Sequence, residues 1–198
     1  MATLVAPTTA QDGDIQDASI VDTTSTTVVA GEASSTSGSS TQGFWFMDTS
    51  SLTAGATVTA ATLTININSF DLAPQGRTFN IDGTAGALGS TLDIADWRTS
   101  PLTAIGSFTD SATLGSHVFT VPTSVINKTG TTNIHIYPAP DVTINGQMVH
   151  IDSFENASGL KAFLTITYTP AVSGGDAQFY RKTFEKYRYG WIRSQTNF

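Results

Sequence analysis

The side chains with chemistry to offer are three histidines, sixteen acids, three tryptophans and a terminal cluster of bases. His117, His135 and His150 all stand in strand-like stretches. His135 and His150 on neighbouring strands would bring two imidazoles toward one zinc ion, but no third ligand stands at a recognisable spacing. Exposed strand histidines are therefore expected, and no metal. Asp12, Asp14 and Asp17 could feed oxygens to Ca²⁺, yet they lack the ordered ligand loop of a calcium site. They are read, like Asp93 and Asp96, as solvated turn acids. Glu155 follows apolar Phe154 and needs a partner if buried; it is expected to anchor a loop, not to act as an acid catalyst. Trp45 stands between Phe44 and Phe46 and belongs in a core. Trp97, beside Arg98 in a loop, could offer a flat face to a sugar ring, so Trp97 and Arg98 are the candidate glycan-binding pair.

The sequence holds no G-x-S-x-G elbow, P-loop, H-E-x-x-H or dinucleotide fingerprint. The expectation is a protein that is not an enzyme and uses no cofactor. Asn127-Lys128-Thr129 and Asn156-Ala157-Ser158 fit the glycosylation pattern, but such matches come cheaply in a chain with 33 Thr.

The strongest signal is a division of charge. Residues 1–180 hold 15 acids and 4 bases, net −11, while residues 181–198 hold 5 bases and one acid, net +4, giving the overall −7. The same end is rich in aromatics. Tyr180, Arg181, Lys182, Phe184, Lys186, Tyr187, Arg188, Tyr189, Trp191 and Arg193 form a candidate docking set, because Arg pairs with carboxylates and Tyr and Trp give rigid contact area. Tyr180, Phe184, Tyr187 and Trp191 fall on one helical face, with Asp176 placed to cap the helix and Gly190 to end it. The competing structural reading packs this helix on its own domain. The acidic body opposes nucleic acid and anionic membrane, so neither is an expected partner.

The elements that must carry these residues are strands. Charged residues make up only 13 % of the chain, and Thr and Ser replace them, which suits a pleated sheet. Residues 1–14 read as an arm or first turn, residues 15–170 as one β-domain, and residues 171–198 as a tail leaving through Pro170 and Gly174-Gly175. Strands are expected near Ile15–Val21, Thr26–Ala30, Gly43–Met47, Thr57–Ser69, Thr78–Ile81, Thr103–Phe108, His117–Val121, Asn133–Tyr137, Val142–Ile144, Gln147–Phe154 and Lys161–Thr169. In the longest of them the apolar phase switches at Ala60-Ala61, which predicts a bulge there. Ser34–Gln42 should be a loop. Leu92–Trp97 and Pro122–Asn127 should each make one helical turn. Many short strands with turns between them predict an all-β, two-sheet antiparallel β-sandwich, jelly-roll-like, with a C-terminal extension. There is no Cys to staple it, and its first residues, with no base before Arg77, are not expected to act as a signal peptide.

Three segments resemble the DNRLRE-type domain, a β-sandwich related to carbohydrate-binding modules and found in bacterial surface and phage structural proteins. They are Gly43 to Leu52 (GFWFMDTSSL), Ala54 to Ile65 (AGATVTAATLTI), and Ser153-Phe154-Glu155-Asn156 followed by Leu164 to Thr169 (LTITYT). The chain departs from the family at the Arg before the aromatic strand, here Gln42 or Gly43, and at the Arg before the terminal Glu, here Phe154. The resemblance implies a binding or structural role. With the charge division and the lack of an export signal, it leads to an expected virion protein of a tailed phage, a capsid decoration, head-fibre or tail accessory protein. Its expected partners are other virion proteins and further copies of itself, with a host glycan as the alternative ligand.

Overall fold

The computed structural model describes residues 1–32, 39–98, 101–139, 146–157 and 160–171. The expected tail helix with its docking set and the expected strand Val142–Ile144 lie outside the described residues.

Twelve strands follow one another along the chain: β1 (Ala2–Pro7), β2 (Gly13–Gln16), β3 (Ile20–Asp22), β4 (Thr27–Glu32), β5 (Ser40–Asp48), β6 (Thr57–Phe70), β7 (Thr78–Thr84), β8 (Thr103–Thr109), β9 (Gly115–Thr120), β10 (Thr131–Ala139), β11 (Met148–Asp152) and β12 (Phe163–Thr169). Their main order is β1-β12-β6-β11-β4-β5-β10-β7-β8, with β9 also on β6 and the β2–β3 hairpin on β5. Every pairing is antiparallel. The result is the expected all-β, sandwich-like fold, made from one curled sheet.

Strand β6 is the spine. Thr57–Thr64 pairs with β12, Ile67–Phe70 with β11, and Thr62–Ile67 with β9 on the opposite edge. Its register against β12 shifts so that Thr59 is the extra residue, one position before the expected Ala60. That bulge lets Ala61, Leu63, Ile65 and Ile67 all face inward. They meet Trp45, Met47, Phe79, Ile81, Ile134, Ile136, Leu164 and Ile166 in the main core. Gly43 is required at this contact: a Cβ there would lie 2.5 Å from Val28 and 2.8 Å from Ile136.

The expected N-terminal arm is not one. Ala2–Pro7 alternates its side chains, buries Ala6 and pairs along β12 as an edge strand. The expected helical turns are single 3-10 turns, at Ile94–Asp96 and Thr123–Val125. Part of the expected loop Ser34–Gln42 is also strand, since Ser40–Gln42 begins β5.

β5 is buried on both faces. Trp45 and Met47 enter the main core, while Phe44 and Phe46 form a second cluster with Ile15, Leu88 and Leu92. The β7–β8 connection therefore lies over the outer face of the sheet, with Ile15 of β2 reaching the same cluster from the edge of β5, and this cover shapes the candidate site.

Candidate functional site

The outer face of β5, β10 and β7 carries a row set by register. Phe44 stands opposite His135, His135 opposite Asp82, and Tyr137 opposite Asn80. Phe44, His135 and Tyr137 stack in a column, with ring centroids 4.7 Å and 4.8 Å apart. His135 is only 1 % exposed, which corrects the expectation of an exposed strand histidine. The cause is local. The β7–β8 connection covers it, and both ring nitrogens find partners: Nδ1 lies 2.9 Å from Asp82 Oδ1 and Nε2 3.0 Å from Gln42 Oε1. Gln42 also accepts the Arg98 amide at 3.0 Å and donates to the Arg98 carbonyl at 2.7 Å, and Asp82 accepts the Leu102 amide at 2.7 Å. Asn133, on the same face of β10, accepts the Leu88 amide and donates to the Gly89 carbonyl. The polar row thus sews down the covering segment, as a satisfied buried network does.

Beside this row opens a cleft of about 340 Å³, lined by Asn80, Asp82, Pro101, Gly106, Ser107 and Tyr137 among others. Tyr137 rests one face on His135 and is partly buried. Burial, then the Asp82 carboxylate, raises its phenol pKa above the ordinary value, against a lowering hydrogen bond with Asn80. The cleft combines an aromatic ring, a carboxamide and a hydroxyl beside the buried Asp82. This set can hold the hydroxyls and apolar face of a small polar ligand.

The expected glycan-binding pair lies elsewhere on the cover. Trp97 is half-buried against the second cluster together with Leu102. Arg98 is fixed through its backbone by Gln42, and its buried Nε has no hydrogen-bond partner among the described residues. Trp45 is fully enclosed. His135 and His150 do not face each other: β10 pairs with β5 and β7, β11 with β4 and β6. His150 instead meets Asp71 at 2.7 Å, and His117 the Thr113 carbonyl at 2.6 Å. No three His, Cys, Asp or Glu side chains gather closely enough for a metal among the described residues.

The acids diverge as well. Asp93 and Asp96 close a capping box on the first 3-10 turn, and Asp96 is buried, not solvated. Asp17 accepts the Ser40 amide at 2.7 Å. Asp14 stands opposite Asp22, and burial, then that neighbour, pushes its pKa up to about 7. Asp12 is fully buried and accepts the Phe154 amide at 2.8 Å. It stands next to Glu155, which opposes its ionisation.

Sequence reasoning missed Tyr137, Asn80, Asp82 and Ser107 as one surface. They sit on three strands that only the β10–β7–β8 pairing makes adjacent. The alternation in Asn133–His135–Tyr137 was the one available signal. Compared with known proteins, the chain matches no family model and no curated sequence.

Proposed function

We propose that this chain is a non-enzymatic structural protein of a tailed-phage particle: an outward-facing β-sandwich attached by its basic, aromatic C-terminal tail to an acidic surface of the capsid or a neighbouring subunit. One observation carries the reading. Among the described residues an enclosed apolar core runs from Ala6 to Ile166, and β12 fills the slot between β1 and β6. The bases and aromatics of residues 179–198 follow this sandwich in the sequence and carry charge opposite to its own. Capsid decoration, head fibre and tail accessory are the places such a design fits, and association of several copies through the tail goes with it.

Deleting residues 176–198 tests this. The expected product is a folded domain with unchanged β circular dichroism that no longer co-sediments with particles. A truncated chain that still co-sediments defeats the reading.

The cleft favours a second reading, a carbohydrate-binding module for a cell-surface glycan. Tyr137 supplies the ring, and Asn80 and Ser107 the polar groups that fix orientation. Glycan-array binding lost in Tyr137→Ala and kept in Trp97→Ala supports this cleft. The reverse pattern moves the ligand to the Trp97–Arg98 loop, and no binding by the intact chain removes the reading.

A further inference from the structure

We propose that Thr8, Asp12 and Glu155 form a calcium site that ties the N-terminal turn to the connection between β11 and β12. The inference goes beyond the proposed function and does not depend on it. Its basis is a set of oxygens left over after every other hydrogen bond is made. Asp12 is 0 % exposed and Thr8 is 1 % exposed. Asp12 Oδ2 accepts the Phe154 amide. Asp12 Oδ1, Thr8 Oγ1 and Glu155 Oε2 are all buried, and none meets a partner in good hydrogen-bond geometry among the described residues. The Thr8 and Glu155 side chains stand within loose hydrogen-bonding reach of Asp12, Thr8 favouring its charged form and Glu155 opposing it.

Two carboxylates side by side in a buried place need a countercharge. No Lys, Arg or His pairs with either among the described residues. Lys161, the base nearest along the chain, holds its ammonium 3.9 Å from the centre of the Phe154 ring. Burial, with Glu155 adding to it, has pushed the Asp12 pKa up to about 7, against the pull of the Phe154 amide and Thr8.

The donors are all hard oxygens, two anionic and one neutral, which excludes soft metals. They come from two irregular connections, not from one rigid frame. That arrangement suits the variable geometry of Ca²⁺, with main-chain carbonyls and water completing its shell, better than the strict octahedron of Mg²⁺. The frame is firm on both sides: the Thr8 amide bonds the Ala162 carbonyl at 3.0 Å, and Ser153 Oγ donates to the Ser25 carbonyl at 2.7 Å. The physical alternative is one proton shared between the two carboxyls.

Calorimetric titration and thermal melting of the full chain after chelator treatment, slightly above neutral pH, decide between them. The expected result is one calcium bound per chain, with a dissociation constant of about 10⁻³ M or tighter. A higher melting midpoint in calcium and a smaller rise in magnesium should accompany it. Glu155→Gln, at a partly exposed position, and Thr8→Val, which keeps the volume, should retain the circular dichroism of the fold and weaken calcium binding at least about tenfold. A wild-type chain indifferent to calcium in both heat and midpoint overturns the proposal in favour of the shared proton. Calcium bound by Glu155→Gln as tightly as by wild type overturns it too.

Discussion

Two polar clusters are buried along opposite edges of β5, and they are finished to different degrees. Around His135 the ring nitrogens, the Asp82 carboxylate and the Gln42 carboxamide meet one another or a backbone group of the covering segment. Around Asp12 three buried oxygens approach one another but find no partner in good hydrogen-bond geometry among the described residues. Both clusters lie where a connection folds over the sheet, so burial alone does not separate them. The difference is composition. The first mixes donors with acceptors; the second holds two acids and one hydroxyl, and so supplies more acceptors than donors. A mixed cluster can close on itself and act as a fastener, whereas a cluster short of donors needs a proton or a cation from outside.

The largest expected effect comes from opening the closed cluster. His135→Ala removes both ring contacts and the stack on Phe44 and Tyr137, and should cost about 3–5 kcal/mol in urea unfolding, because Asp82 is left buried with only the Leu102 amide to meet it. A loss much below that would mean that the row packs without holding. Gln42→Ala should cost about 1–3 kcal/mol. Because Gln42 grips Arg98 on both its amide and carbonyl, faster hydrogen exchange at the Arg98 and Leu102 amides should accompany the loss. Unchanged exchange there would detach the network from the cover. The smallest effect is expected where a closed cluster has spare donors. Asp152 takes amide hydrogens from Asn66, Asn68 and Asn156, so Asn68→Ala should cost only about 0.5–1.5 kcal/mol. A larger loss would show that no donor in such a set is spare.

The strands were legible wherever one face was apolar and the other polar. Thr57–Ser69, Asn133–Tyr137 and Lys161–Thr169 needed only alternation, and the phase switch at Ala60-Ala61 announced the bulge to within one residue. The N-terminal strand stayed hidden because half of its residues face solvent on an exposed edge, which leaves a weak pattern. The turn between β2 and β3 was hidden as well. Asp17 and Ala18 hold φ of 50° and 52° without a glycine to mark them.

The site was less legible than the fold. His135 was visible as a strand residue, but its partners stand far away in the chain: Gln42 by 93 residues and Asp82 by 53. No local pattern carries such pairings. Asp12 and Glu155 were each singled out, yet spacing along the chain grouped Asp12 with Asp14 and Asp17, whose partners lie in other directions. The charge division between body and tail needs no structure to be seen, only arithmetic on the sequence.

The place of β12 has a kinetic consequence. Among the described strands, β1, the earliest in sequence, finds its only ladder partner in β12, the latest, which also zips onto the spine. At ordinary rates of synthesis about 10–30 s separate the emergence of the two. Throughout that interval the nascent chain carries an open seam along β6, with its apolar lining uncovered. Such a protein is completed by a late closing step after translation, and its yield should fall when synthesis outpaces the closing of that seam.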